Sequence, residues 1–348
     1  MTMNILLLKI SSVVHKYTYV FIVTIFLSGC NLHSNEDVSI SGMTMGTTFS
    51  IQLNNDNPNF NKKRLEEEIN SILADVNNKM SSWDSDSEIS KINKMPAGQW
   101  IHVSPDMLFI NALAKSVSKK TSGAFDVTTG NLIKLWGFTS NKDVNSVPDE
   151  KKLKQAVLNL GYKKLLIDKN KSAVYKKSAF NIDLSAIAKG YAVDKIAEYL
   201  NKNKYPVYLV EVGGEIRVKG IKSDHQKWRI AIETPSTQVR KVHNIINITD
   251  HAIATSGDYR NYYEIEGKRY SHTIDPSTGK PITHNLASVT VISDTAAYAD
   301  AVATALMVMG AKKGYEYCEN NDISAYFIYK ENDEFKVFVT SKFKKYIQ

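Results

Sequence analysis

The chain is predicted to fold as an α+β domain, with mixed, largely antiparallel β-sheets flanked by helices. Helical spacing of apolar residues is strongest in the first third, whereas short alternating segments dominate from Tyr208 to Ser293. A further Ala-rich helix follows them, and helices and strands intermingle without a regular βαβ alternation. No internal repeat and no low-complexity linker divides the chain.

The start of the chain reads separately. Lys9, His15 and Lys16 precede an apolar run from Tyr17 to Leu27, which ends in Leu27-Ser28-Gly29-Cys30. A short apolar core, small residues and then cysteine is the pattern of a secretory signal with a lipobox. The run is short for a transmembrane helix; an uncleaved stubby anchor is the alternative. Residues 1–29 are therefore expected to be a lipoprotein signal peptide. Cys30 would be the lipidated N-terminus, and residues 30–37 would be the lipidated cysteine plus a polar tether to a domain over 38–348. Cys318 is the remaining cysteine, so the mature chain has no disulfide to form, and Cys318 is expected to be a buried small hydrophobe.

Val38 to Leu53 alternates as a strand and contains Met45-Gly46-Thr47-Thr48. Leu65, Ile69, Ile72, Leu73 and Val76 predict a helix over Lys62–Met80. Ser81 to Ser87 is a polar loop holding Trp83. Ser104-Pro105-Asp106 opens a second helix that runs to Lys120 and exits through Thr121-Ser122-Gly123-Ala124-Phe125-Asp126. Asn131–Phe138 is short and apolar, Thr139–Ser146 is polar, and Pro148 starts a helix to about Leu158. Strands are expected at Leu165–Asp168, Ala173–Lys177 and Phe180–Leu184, followed by a helix over Ile187–Asn201. The β series then runs through Tyr208–Val212, Ile216–Lys219, Trp228–Glu233, Val242–Thr249, Ala252–Ser256, Tyr262–Ile265, Lys268–Ile274 and Ser288–Ser293. Ala296–Met309 is a helix, and strands at Ile323–Tyr329 and Glu334–Thr340 close the chain.

The net charge of +8 comes largely from lysines scattered over predicted solvent-facing segments. No nucleic-acid motif promotes them to a nucleic-acid site, although a basic surface suits an anionic membrane or an acidic partner. The chain also lacks G-x-G-x-x-G, P-loop, H-E-x-x-H and G-x-S-x-G signatures.

Four segments carry chemistry. The run Ser271-His272-Thr273-Ile274-Asp275-Pro276 turns sharply at Asp-Pro and Thr278-Gly279, which suits a polar group that must be held still. Asp300 and Thr304 lie four apart on one face of the Ala-rich helix. A carboxylate and a hydroxyl among alanines need partners. A hard cation such as Mg²⁺ would satisfy both; the alternative is that Asp300 bonds a neighbouring loop and Thr304 its own helix. In Asp183-Leu184-Ser185-Ala186-Ile187-Ala188-Lys189-Gly190, a lysine falls in the first turn of a helix, where the dipole disfavours it. An anion contacting Lys189 would explain it; a solvated lysine is the alternative. Val210-Glu211-Val212-Gly213-Gly214-Glu215 sets paired glycines between two strands, either as a plain tight turn or as a place for a flat ligand to lie against backbone.

Together these segments resemble the ApbE family of FAD:protein FMN transferases. The likeness runs from about Ser41 to about Met309 and rests on Met45-Gly46-Thr47-Thr48, Gly123-Ala124-Phe125-Asp126, Asp183 to Asp194, Val212-Gly213-Gly214, Thr255 to Arg260, Ser271 to Pro276, Gly279 and Asp300 to Ala305. The resemblance implies an FAD site in a cleft between lobes, lined by Met45, Trp83, Ala124, Phe125, Asp126, Asp183, Lys189 and Ile274. It also implies Mg²⁺ held by the main chain of Ala186 and by Asp300 and Thr304. Thr273 departs from the family pattern, where an apolar residue is usual. His272 is the expected catalytic base, with Asp275 as a competing carboxylate. The implied activity is transfer of FMN from FAD to a Thr or Ser hydroxyl of a respiratory flavoprotein subunit. Such acceptors belong to sodium-pumping NADH:quinone reductase or related electron-transport complexes. The enzyme would work in a bacterial cell envelope, lipid-anchored on the periplasmic side. A hydrolase splitting FAD into FMN and AMP, and a non-enzymatic flavin-binding lipoprotein, are the alternatives.

Overall fold

Strands from both halves of the chain meet in one eight-stranded sheet. The structure, a computed structural model, describes residues 36–55, 60–138, 147–235, 241–258, 262–265, 267–332 and 334–347. The signal segment, Cys30, the tether up to residue 35, the polar stretch 139–146, Tyr259 and Arg260 lie outside the described residues.

The strands in chain order are β1 (Glu36–Thr44), β2 (Thr47–Asn55), β3 (Trp100–His102), β4 (Leu165–Asp168), β5 (Ala173–Lys176), β6 (Tyr208–Val212), β7 (Glu215–Lys219), β8 (Trp228–Glu233) and β9 (Val242–Ile248). They continue with β10 (Ala252–Gly257), β11 (Tyr262–Ile265), β12 (Lys268–Ser271), β13 (Ile274–Asp275), β14 (Lys280–Pro281), β15 (Leu286–Ser293), β16 (Ser324–Glu331) and β17 (Glu334–Val339). The helices are α1 (Lys62–Met80), α2 (Glu88–Lys94), α3 (Pro105–Lys120), α4 (Gly130–Leu135), α5 (Glu150–Asn159), α6 (Ala188–Lys202), α7 (Ala296–Met309) and α8 (Ala311–Asn320).

The main sheet has the order β1-β2-β6-β7-β10-β15-β16-β17, and its pairings from β2 to β17 are antiparallel. Smaller antiparallel units are β3-β5-β4 and the ribbons β8-β9, β11-β12 and β13-β14. Strand periodicity sorts side chains between the two faces of the main sheet. Ala252, Ala254, Val289, Val291, Ala325 and Phe327 enter one core, beneath α6, α7 and α1. Ile253, Ile292, Tyr326 and Ile328 enter another, closed by the β8-β9 ribbon with Phe343 and Tyr346. A third cluster of Leu132, Trp136, Leu153, Ala156 and Ile274 lies under α4 and α5. The described residues from Asp37 onward form one compact unit. Among the described residues no helix is long and apolar enough to cross a membrane.

Several expectations shift. β1 starts at Glu36, so the last two tether residues already belong to the sheet. Met45 and Gly46 split the expected first strand, both with positive φ (50° and 73°), the geometry of a two-residue hairpin turn. Phe180–Leu184 is not a strand. Its backbone is satisfied by single partners instead of a ladder: Ile182 N–H donates to Asn93 Oδ1 and Asn93 Nδ2 donates back to Ile182 O. Asp183 N–H donates to Val127 O, and Gly130 N–H to Asn181 O. The helix supplying Asn93, α2, was absent from the sequence expectation, as were β3 and α8; each is short. The expected strand Lys268–Ile274 breaks after Ser271, so His272 and Thr273 lie on irregular backbone between two ribbons. Cys318 is fully buried as expected.

Candidate active site

The α6–α7 packing sets the site. Gly190 lets the helices touch, since a Cβ there would lie 2.4 Å from Ala296 O. The two helices then cap each other. Asp194 of α6 accepts from the Ala296 and Ala297 amides at the start of α7, both at 2.9 Å, and pairs with Arg217 at 2.7 Å. Asp300 of α7 accepts from the Gly190 amide in the first turn of α6 at 3.2 Å. Neither helix has a side-chain cap from its own N-cap residue, so these long-range carboxylates satisfy amides that every helix start leaves open.

Lys189 lies beside this junction. Its Nζ sits 3.2 Å from Glu215 Oε1 and 3.7 Å from Asp300 Oδ2. The lysine therefore does contact anions, but they are carboxylates of the protein itself. Burial works to lower the Lys189 pKa, and the charges of Asp300 and Glu215 overcome it and raise it. Burial also raises Asp300, against the pull of Lys189, and pushes Glu215 up to about 8. Glu215 Oε2 is buried with no hydrogen-bond partner. One turn along α7, the Thr304 hydroxyl lies 3.2 Å from Ser256 Oγ on β10. Thr304 thus bonds across to the sheet. Asp300 bonds a neighbouring helix start, close to the alternative foreseen for it.

These groups line a cavity of about 690 Å³. Trp83, Ala124, Phe125, Asp126, Asp183, Ala186, Lys189, His272, Ile274, Asp300 and Thr304 all line it. Met45 does not: it packs against the main core from the β1–β2 turn. Asp275 does not either. Its Oδ1 accepts from the Ser277 amide and hydroxyl, and its carbonyl accepts from Gly279 N–H, so it holds its own turn. Glu211, Glu215 and Glu233 also line the wall; the Val210–Glu215 motif contains the first two without giving either a role, and Glu233 lies outside every motif. A glutamate closing a Gly-Gly turn was the available signal for Glu215.

Local structure explains the wall. Asp126 takes the Thr128 amide and hydroxyl on Oδ1 and the Tyr162 amide on Oδ2, fixing the Ala124–Val127 wall. Asp183 accepts from Ser82 Oγ at 2.9 Å, which draws the loop of the 61 % exposed Trp83 towards the start of α6. His272 and Phe138 meet edge to face, ring centres 6.3 Å apart. Its turn is anchored from behind by buried Trp136, whose Nε1 donates to Gly279 O at 2.8 Å.

The donors around α7 are oxygen atoms: the Asp300 carboxylate, the Thr304 hydroxyl and the backbone at Ala186. An unpartnered carboxylate oxygen of Glu215 lies in the same wall. That donor set fits a hard divalent cation such as Mg²⁺. Among the described residues no group of three or more His, Cys, Asp or Glu side chains is placed to hold a metal, so a cation here would keep water or substrate oxygens in its shell.

The sequence model of the ApbE family matches residues 45–327. The chain is 42% identical over 323 residues to an FAD:protein FMN transferase of Vibrio cholerae, covering 93% of this chain and 96% of that one. It is 40% identical over 314 residues to an FAD:protein FMN transferase of Haemophilus influenzae, covering 88% and 91%. The solved structure of a Vibrio cholerae flavin transferase superposes with a TM-score of 0.82 at 41% identity, covering 90% of this chain and all of that one. The apo flavinyl transferase of Pseudomonas stutzeri superposes with a TM-score of 0.83 at 35% identity, covering 90% and 97%.

Proposed function

The chain belongs to the ApbE family and is a flavin transferase acting on FAD, and we propose that it moves FMN to a Thr or Ser hydroxyl of a partner flavoprotein subunit. The observation that carries this reading is one cavity joining an aromatic mouth at Trp83, the Lys189–Asp300–Thr304 cluster and the His272 turn. Flavin, pyrophosphate and acceptor hydroxyl each need one of these surfaces.

In this reading Trp83 stacks on the isoalloxazine ring, and Ala124, Phe125 and Ile274 exclude water from it. Lys189 offers positive charge to the pyrophosphate. Asp300, Thr304 and the Ala186 carbonyl would hold Mg²⁺, which would supply charge neutralisation at the pyrophosphate. His272 accepts the proton of the acceptor hydroxyl. The hydroxyl oxygen bonds to the FMN phosphorus, the phosphorus–oxygen bond to AMP breaks, and a phosphoester remains. The Phe138 contact and the Trp136-anchored turn hold the imidazole in place for that transfer.

The lipobox at Cys30 supports membrane anchoring on the periplasmic side of a bacterial envelope. We infer acceptors that present a Thr- or Ser-containing motif there, such as subunits of sodium-pumping NADH:quinone reductase or related complexes. The test is incubation with FAD, Mg²⁺ and such a subunit, followed by flavin fluorescence on a denaturing gel and AMP release. An EDTA-sensitive fluorescent band that an acceptor Thr→Ala change abolishes is the expected result. Release of AMP and free FMN with no labelled acceptor would instead make it an FAD pyrophosphatase. Bound FAD without AMP would make it a flavin carrier.

A further inference from the structure

Glu215 has no role in the reaction as written, yet it is only 3% exposed and lies in the cavity wall. Its Oε1 holds Lys189 at 3.2 Å, and its Oε2 is buried without a partner. On the other side of the same ammonium stands Asp300, 3.7 Å away. One cation is therefore shared between two buried carboxylates, one of them a proposed Mg²⁺ ligand. An ammonium and a divalent cation against one buried carboxylate repel each other strongly, because little solvent screens them. The lysine stem also lies against the Gly213 turn, where a Cβ would come within 3.0 Å of Lys189 Cδ.

The geometry points to Glu215 as the positioning residue that draws the Lys189 ammonium off Asp300 and holds it while Mg²⁺ occupies the Asp300–Thr304 site. The unpartnered Oε2 is the second acceptor that an arriving ammonium, with its three donors, can use. This inference rests on reading Asp300 and Thr304 as cation ligands. Glu215 touches no reacting atom in it; it acts through Lys189.

Mn²⁺ titration checks this, with free Mn²⁺ followed by electron paramagnetic resonance on the whole protein without FAD or acceptor, so that the pyrophosphate contact of Lys189 does not enter. Glu215→Gln is expected to weaken Mn²⁺ binding about tenfold, because Lys189 then rests on Asp300. Glu215→Asp keeps the charge but shortens the reach, and is expected to weaken binding nearly as much. The double variant Lys189→Met/Glu215→Gln removes the competitor and should return to within about twofold of the wild type, a recovery that misfolding cannot produce. Wild-type affinity in Glu215→Asp would mean that Glu215 acts only through its charge, and would overturn the inference. So would a double variant as weak as Glu215→Gln. Asp300→Asn separates the two levels. If the wild type binds Mn²⁺ no better than Asp300→Asn, the metal reading fails and this inference with it. If Asp300→Asn loses Mn²⁺ while Glu215→Gln keeps it, only the inference fails.

Discussion

His272 shows how much a residue's role depends on the backbone around it. The ladder of β12 stops at Ser271, and Thr273 N–H turns to Ser271 Oγ rather than to a neighbouring strand. The imidazole is thereby presented to the cavity and not to a sheet face. Its rival Asp275 is consumed in holding the turn. His272→Asn is expected to lower kcat by about 10²–10⁴ if the ring takes the acceptor proton. FAD affinity, measured by flavin fluorescence titration, should stay near the wild-type value. Unchanged turnover at saturating FAD would remove His272 from the mechanism. At Met45 the backbone makes a left-handed turn and the side chain packs on the core.

At the scale of elements, the α6–α7 pair makes the charged half of the site. Each helix is capped by a carboxylate of the other, through Asp194 and Asp300. Close approach at Gly190 is the condition for both. A methyl group there meets the Ala296 and Ala297 backbone at 2.4–2.7 Å, and backbone cannot step aside as a flexible side chain can. Gly190→Ala is therefore expected to cost about 1–3 kcal/mol of stability, read by urea denaturation. It should also weaken cation binding, because Asp300 moves with α7. A variant as stable as the wild type would show that the helices can separate without loss. The Ala-rich character of α7 is legible in the sequence; the partner of each helix is not.

Over the whole molecule, a polar cluster ties α1, α3 and α6 outside the cavity. Asp106 accepts from Lys79 at 2.6 Å and from the Tyr191 hydroxyl at 2.5 Å, with Lys195 at 3.6 Å. Burial works to raise the Asp106 pKa, but these partners win and hold it below its ordinary value of 3.8. A carboxyl depressed in the folded state stabilises fully above its unfolded pKa, and that stability is lost as pH falls through the folded value. Asp106→Asn is thus expected to cost about 1–3 kcal/mol at neutral pH, for the charged hydrogen bonds lost. The gap to the wild type should close as the pH is lowered below about 4. Thermal melts across that range check it, and a gap independent of pH would mean that packing, not charge, is what Asp106 supplies.

The α+β class, most strands and the long helices were determined by local pattern, because periods of two and of 3.6 residues report which face is buried whatever lies opposite. The turn at His272, the Asp300–Thr304 face and the lysine at the start of α6 were likewise visible as residue types at meaningful spacings. What the tertiary structure alone decided was pairing. Ile182 reads as strand by composition, yet its partner is the Asn93 side chain. The anion next to Lys189 is a pair of carboxylates, 26 and 111 residues further along the chain. The order of the eight strands and the burial of Glu215 have the same origin. Each depends on contacts between distant segments, whose energy is set by distance and burial and leaves no periodic trace in either segment alone.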